Sequence, residues 1–290
     1  SSADDLADVI EVAEVHEVEH PSLADTHNLN CSGFPYLKLV DKVSSNLGGK
    51  GPDTDALPGL IYRGKVLGGA EDGKELELHF NVSSDPAEYH PRSPKENGFQ
   101  GQYGSINIKA NSNVTIEVER FDPESRQHVP LNNFYFTFFD LDQGPNGSAS
   151  ESVTVSHMRK AWLAKKSEIK HTRLEDGSIK FEATTEGSGE DNPKNPLDLT
   201  RQQFQRAVTV FVENVTKLTV TFAVGHSKEE RPRWFNFRGQ PTLLCAHKRD
   251  GSTVDLQSLR GDSGAGGLRA GARALLLAAP LLGLAQLSQP

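Results

Sequence analysis

In several short stretches of this chain, apolar and polar residues alternate one for one, and that period of two most limits what it can fold into. Val114, Ile116 and Val118 fall on one side of an extended backbone, with Thr115, Glu117 and Glu119 on the other. Leu218, Val220 and Phe222 alternate in the same way with Thr219 and Thr221. Successive side chains of a strand point to opposite faces, so such a run buries one face and wets the other, as half-buried antiparallel strands do. Strand-like runs recur at 60–67, 75–82, 105–109, 114–121, 133–141, 152–157, 169–174, 179–184, 207–213, 218–224, 234–237 and 242–246, divided by turn residues. The run 134–139 reads Phe-Tyr-Phe-Thr-Phe-Phe, apolar on both faces, and is expected at the centre of a sheet. One helical turn is expected within 199–205. Many short strands with so little helix predict an all-β fold, an antiparallel β-sandwich or jelly roll.

The strand pattern divides the chain into an acidic arm and loop-rich lead-in at 1–56, a sandwich domain at 57–248, and a flexible linker with a short apolar tail at 249–290. The run 274–287 contains Pro280 and falls short of the roughly 20 residues that a membrane-spanning helix needs. Ser263, Gly264 and Ala265, followed by a spacer and this apolar stretch, have the order of a lipid-anchor signal. Membrane attachment through the tail is therefore one expectation; an unattached Ala/Leu tail and an interfacial amphipathic segment are the others. A net charge of -8 with no basic cluster argues against nucleic acid as a partner.

Only two cysteines are present, Cys31 and Cys245, at the two edges of the predicted domain. A disulfide between them would close nearly the whole domain into one loop, worth up to about 5 kcal/mol in the chain-entropy account; two unpaired thiols are the alternative. Sequons at Asn30, Asn81, Asn113, Asn146 and Asn214 make N-glycosylation an expectation. With a chain that begins at Ser1, they favour a secreted, cell-surface or lumenal protein.

Residues 140–151 carry oxygen-bearing side chains at Asp140, Asp142, Asn146 and Glu151, and Asp191 lies in a second oxygen-rich stretch at 190–198. Calcium takes six to eight oxygens, so two such loops meeting at one end of a sandwich would suit it. The stretch is not an EF-hand, because Pro145 stands where the turn glycine belongs. The plainer expectation is two solvated turns whose Asp and Asn side chains cap their own backbone. His16-Glu17-Val18-Glu19-His20 matches a zinc-protease motif, which needs a helix to bring both imidazoles to one face. Pro21 ends any such helix at once, so the match reads as accidental. A serine-protease-like Gly-Asp-Ser-Gly at 261–264 and an Arg-Gly-Asp at 260–262 lie beyond the last strand, without a packed core to orient a base. Trp162, Trp234, Tyr89 and Tyr103 form either a sugar-stacking platform or ordinary core.

As a set, the segments 133–151 (NNFYFTFFDLDQG, then ESVTV), 191–200 (DNPKNPLDLT) and 206–211 (RAVTVF), with 235–237 and the strand into Cys245, resemble a β-rich module of secreted or surface proteins of marine protists, notably dinoflagellates. The resemblance spans about 57–248. It implies the domain boundary and the pairing of the two acidic loops, and it brings no activity with it.

Three functions compete on these residues. The first is a calcium-stabilised recognition module, lectin-like or adhesive, that holds an ion through Asp140, Asp142, Asn146, Glu151 and Asp191 and meets a glycan or surface protein. The second is a structural surface or matrix protein in which the loops merely turn the chain. The third is a hydrolase, either zinc-dependent through the N-terminal arm or acting on glycans, which would need two carboxyls about 5–10 Å apart across a cleft; binding is favoured over catalysis.

Overall fold

The computed structural model describes residues 13–19, 29–229 and 232–247. In chain order the strands are β1 (Glu14–Val18), β2 (Leu29–Asn30), β3 (Tyr36–Asn46), β4 (Gly59–Leu67), β5 (Glu75–Val82) and β6 (Gly98–Gln100). Then come β7 (Tyr103–Lys109), β8 (Ser112–Phe121), β9 (Phe134–Phe139), β10 (Glu151–Val155), β11 (Lys160–Ala164) and β12 (Ile169–Arg173). The last group is β13 (Ile179–Ala183), a short helix α1 (Arg201–Gln205), β14 (Val208–Val212), β15 (Lys217–Val224), β16 (Pro232–Arg238) and β17 (Ala246–His247).

These strands form two large sheets. One has seven strands in the order β1-β11-β14-β9-β16-β7-β6, and the other has eight in the order β12-β13-β10-β15-β8-β5-β4-β3. Pairing is antiparallel except for β1 against β11. The fold is thus the expected all-β sandwich. Phe134, Phe136 and Phe138 face inward from β9, the middle strand of its sheet, and meet Val114, Ile116 and Val118 of β8 in one core. Phe237 stacks between Phe80 at 5.0 Å and Phe136 at 5.1 Å. Burial of each such ring stabilises the fold by roughly 1.5–3 kcal/mol. Gly104 permits this stack, since a Cβ there would lie 2.4 Å from the Phe237 ring.

The sandwich takes in more of the chain's beginning than the expected boundary at residue 57. Strand β3 closes the edge of the eight-stranded sheet against β4. Its alternation is hard to read because the pairing register shifts twice, between Leu39 and Asp41 and between Lys42 and Ser44. Those bulges turn Val40 and Val43 outward, at 52% and 44% exposure. Strand β1 lies within the stretch read as an acidic arm. His16 and Glu17 lie in this strand, so the zinc-type motif lacks the helix it requires; His20 falls outside the described residues.

Residues 242–246, expected as a strand, instead begin with a 3₁₀ turn (Thr242–Leu244), and Ala246 and His247 then pair with Asn30 and Leu29. Beside that pairing Cys31 and Cys245 are joined in a disulfide across a sequence separation of 214. Helix α1 falls within the expected helical turn, and Thr200 and Gln203 cap it reciprocally. The tail, its anchor-like order and the 260–264 motifs lie outside the described residues. Among the described residues, no helix is long and apolar enough to cross a membrane.

Candidate functional site

At one end of the sandwich, where β9 ends and β10 and β14 begin, the chain buries several carboxylates together. Asp140 follows β9 directly with a φ of 62°, a left-handed conformation that Asp and Asn tolerate. The backbone then folds back on itself: the Asp142 N–H donates to Glu151 Oε2 at 3.3 Å, and the Glu151 N–H donates to the Asp142 carbonyl at 3.1 Å. A second segment runs alongside, with Gln143 N–H donating to Thr185 O at 2.8 Å and Gly187 N–H to Gln143 O at 2.9 Å. Gly187 is required there, because a Cβ would fall 1.7 Å from Asp142 Oδ2.

The counter-charge comes from two arginines. Arg206, just beyond α1, is only 2% exposed. Its Nε donates to Glu168 Oε2 at 2.7 Å, its Nη2 to Glu186 O at 2.9 Å, and its Nη1 to Asp191 Oδ2. Asp142 Oδ2 stands 4.0 Å from the same guanidinium. Arg233 donates from Nη1 to Asp142 Oδ1 at 2.9 Å and stands 3.8 Å from Glu151. A cleft of about 590 Å³ opens beside Arg233, between the 144–149 turn and residues 226–229.

The network displaces the carboxyls from their usual range. Burial, reinforced by Asp142 and Asp191, pushes Asp140 up to about 7. Burial also raises Asp142, against the pull of Arg233 and Arg206, and raises Glu151 well above its usual range, aided by Asp142. Asp191 goes the other way. Desolvation works against its charge, but its own backbone N–H and Arg206 outweigh it and hold the carboxyl below normal.

Of the residues expected to hold an ion, Asp140, Asp142, Glu151 and Asp191 belong to this network. Asn146 does not: it is exposed on the neighbouring turn, where its N–H donates to Glu186 Oε2 at 3.3 Å. Among the described residues, no three carboxylate, imidazole or thiol groups are placed to hold a metal ion together. Arg206, Arg233 and Glu168 were not marked by the sequence reading. Arg206 carries the one signal, its place directly before the largely apolar run 207–212; Arg233 and Glu168 carry none. Of the sequons, Asn113, Asn146 and Asn214 are exposed, whereas Asn30 and Asn81 are half-buried in strands.

The aromatic expectation divides in two. Tyr89 and Tyr103 are buried. Trp162 is partly exposed on the outer face of the seven-stranded sheet, where His16 stacks on it at 5.9 Å and Tyr135 lies 6.2 Å away. Tyr135 in turn meets Phe211 at 4.8 Å and Phe34 at 5.6 Å. Every ring of this strip is partly exposed. The strip crosses β1, β11, β14 and β9, because each of those strands turns its other face to the core. Trp234, also partly exposed, lies on β16 of the same sheet, and its Nε1 donates to Glu96 Oε2 at 2.8 Å.

No protein-family profile matches the chain, and no curated protein is similar to it in sequence. Among solved structures it is similar to the N-terminal domain of a Streptococcus gordonii adhesin, with 8% identity and a TM-score of 0.40 over 79% of this chain and 65% of that one. It is also similar to the adhesin domain of PrgB from Enterococcus faecalis, with 11% identity and a TM-score of 0.39 over 62% and 63%. The glucan binding protein C of Streptococcus mutans gives 12% identity and a TM-score of 0.37 over 79% and 82%. The chain thus spans somewhat under two thirds of the first two.

Proposed function

We propose that this chain is a recognition module, displayed outside the cell or in a lumen, that binds a glycan on the aromatic face of its seven-stranded sheet. The observation that carries the reading is the partly exposed strip of His16, Trp162, Phe211, Tyr135 and Phe34. Aromatic rings stack on the C–H faces of sugars, and large planar side chains give contact area at low entropic cost. The charges beside the strip are paired with each other, Lys160 with Glu14 at 3.8 Å and Arg159 with Glu213 at 3.5 Å. Such a surface suits an uncharged polyol better than an ionic polymer. The disulfide fits the location, since such bonds persist in oxidising compartments.

The test is binding of the full chain to an array of neutral polysaccharides, with Trp162→Ala and Tyr135→Ala as variants. We expect each variant to keep its Tm within a few degrees and to lose at least tenfold in affinity. If no glycan is retained, or the variants bind like the parent, the reading fails. Retention of a protein partner alone would move the assignment to protein adhesion.

A second reading of the acidic end keeps calcium, favoured by one oxygen: Asp140 Oδ1 is buried and makes no hydrogen bond among the described residues. A cation there would have to draw Asp142 and Asp191 away from their arginines. Thermal unfolding in chelator and then in millimolar calcium decides it. Ion at about 100 times its Kd adds about 2.7 kcal/mol, a gain that Asp142→Asn should abolish. Superimposable curves would remove calcium from the function.

A further inference from the structure

Strand β8 carries one residue that its pattern does not explain. Val114, Ile116, Val118 and Arg120 all face inward, and Arg120 is only 5% exposed. A guanidinium at a core position loses its hydration and is held at a cost unless it is well paired. Among the described residues its single ion pair is long, with Nη1 3.4 Å from Glu71 Oε2, and Nε is buried without a hydrogen-bond partner. In front of it lies a pocket of about 340 Å³ at the end of the sandwich opposite the acidic network, within the size range of small-ligand sites. Asn132, Asn133 and Asn214 line this pocket, and Tyr36 and Phe134 form part of its wall. The backbone of Asn133 and Asn214 is left-handed, with φ of 48° and 58°.

We propose that this pocket is a binding site for a sugar acid, with the carboxylate on Arg120 and the ring hydroxyls on the asparagine amides. A guanidinium matches a carboxylate as a two-bond fork, and each amide offers both donors and an acceptor to hydroxyl groups. Glu71 also lines the pocket and competes for Arg120, but it has a second partner in Lys74, 3.6 Å away. Ligand entry therefore exchanges one carboxylate for another: Glu71 turns to Lys74 as the ligand takes the guanidinium. This site is independent of the aromatic face and of the glycan proposed there.

The test is calorimetric titration of the full chain with galacturonate and glucuronate, with galactose, glucose and acetate as controls. We expect a uronate to bind at least tenfold more tightly than its neutral sugar and than acetate. Arg120→Leu should abolish that binding while continuing the aliphatic face of β8 and keeping the fold. Glu71→Gln should tighten it by removing the competing carboxylate. Should Arg120→Leu not fold, Arg120→Lys keeps the charge without the fork and should weaken uronate binding about tenfold. Equal binding of acid and neutral sugar, acetate as tight as the uronates, or undiminished binding by the arginine variants would overturn the proposal. Capture of acidic peptides without any uronate binding would overturn it as well.

Discussion

Replacing Arg206 with methionine is expected to cost about 3–5 kcal/mol of folding stability at pH 7, the usual penalty for removing one partner from a buried ionic network. The side chain is 2% exposed and joins three segments of chain: Glu168 ahead of β12, Glu186 and Asp191 between β13 and α1, and Asp142 after β9. Methionine fills much of the volume but leaves Glu168 and Asp191, both partly buried, without their guanidinium and the Glu186 carbonyl without its donor, while Asp142 keeps only Arg233. Urea unfolding should show a lower midpoint with an unchanged slope, because the surface exposed on unfolding stays the same. Adding Glu168→Gln and Asp191→Asn to the methionine variant should recover part of the loss, since neutral side chains no longer need the missing charge. A loss below about 1 kcal/mol would show that the guanidinium is dispensable, and the two acidic segments would then be held by their backbone hydrogen bonds alone.

What the sequence disclosed and what it withheld follow from the range of the interactions involved. Strands β5, β8 and β15 were legible because each carries an unbroken alternation over six or more residues. Strand β3 was not, because two bulges reset its alternation, and β11 was not, because Lys-Ala-Trp-Leu-Ala has no β-branched residue to mark it. At the acidic end the carboxylates could be named from their spacing along residues 140–151. Their cations could not: Arg206 and Arg233 lie 64 and 91 residues from Asp142 and reach it only through the order of β14, β9 and β16 in the sheet. The aromatic strip has the same origin. His16, Phe34, Tyr135, Trp162 and Phe211 share no local motif, and they meet because β1, β11, β14 and β9 are neighbours in that order. Periodicity reports which face of a strand is buried, whereas the composition of the other face depends on strand order, which one sequence does not contain.

Asp140→Asn is expected to stabilise the protein at pH 8 while leaving it nearly unchanged near pH 4. Burial, with Asp142 and Asp191 nearby, raises the Asp140 carboxyl to about 7 in the folded chain, whereas in the unfolded chain it returns to about 3.9. Between those values the folded state holds a proton that the unfolded state has released. Stability therefore falls as pH rises through this window, by up to the order of 4 kcal/mol, and the full penalty is present above pH 7. Below pH 4 both states are protonated and the group contributes nothing. Asparagine keeps the shape and the left-handed backbone without acquiring a charge. The variant and parent curves should thus converge in acid and separate toward pH 8, in denaturant unfolding at four or five pH values. Some slope should remain in the variant, because Asp142 and Glu151 are raised in the same direction. Asp191, held below normal, works against them only at the acid extreme, where protonation removes its pairing with Arg206. Parallel curves for variant and parent would mean that Asp140 is ionised at neutral pH without penalty. Its charge would then be met by a cation or by water, and repeating the series in chelator and in calcium would distinguish the two.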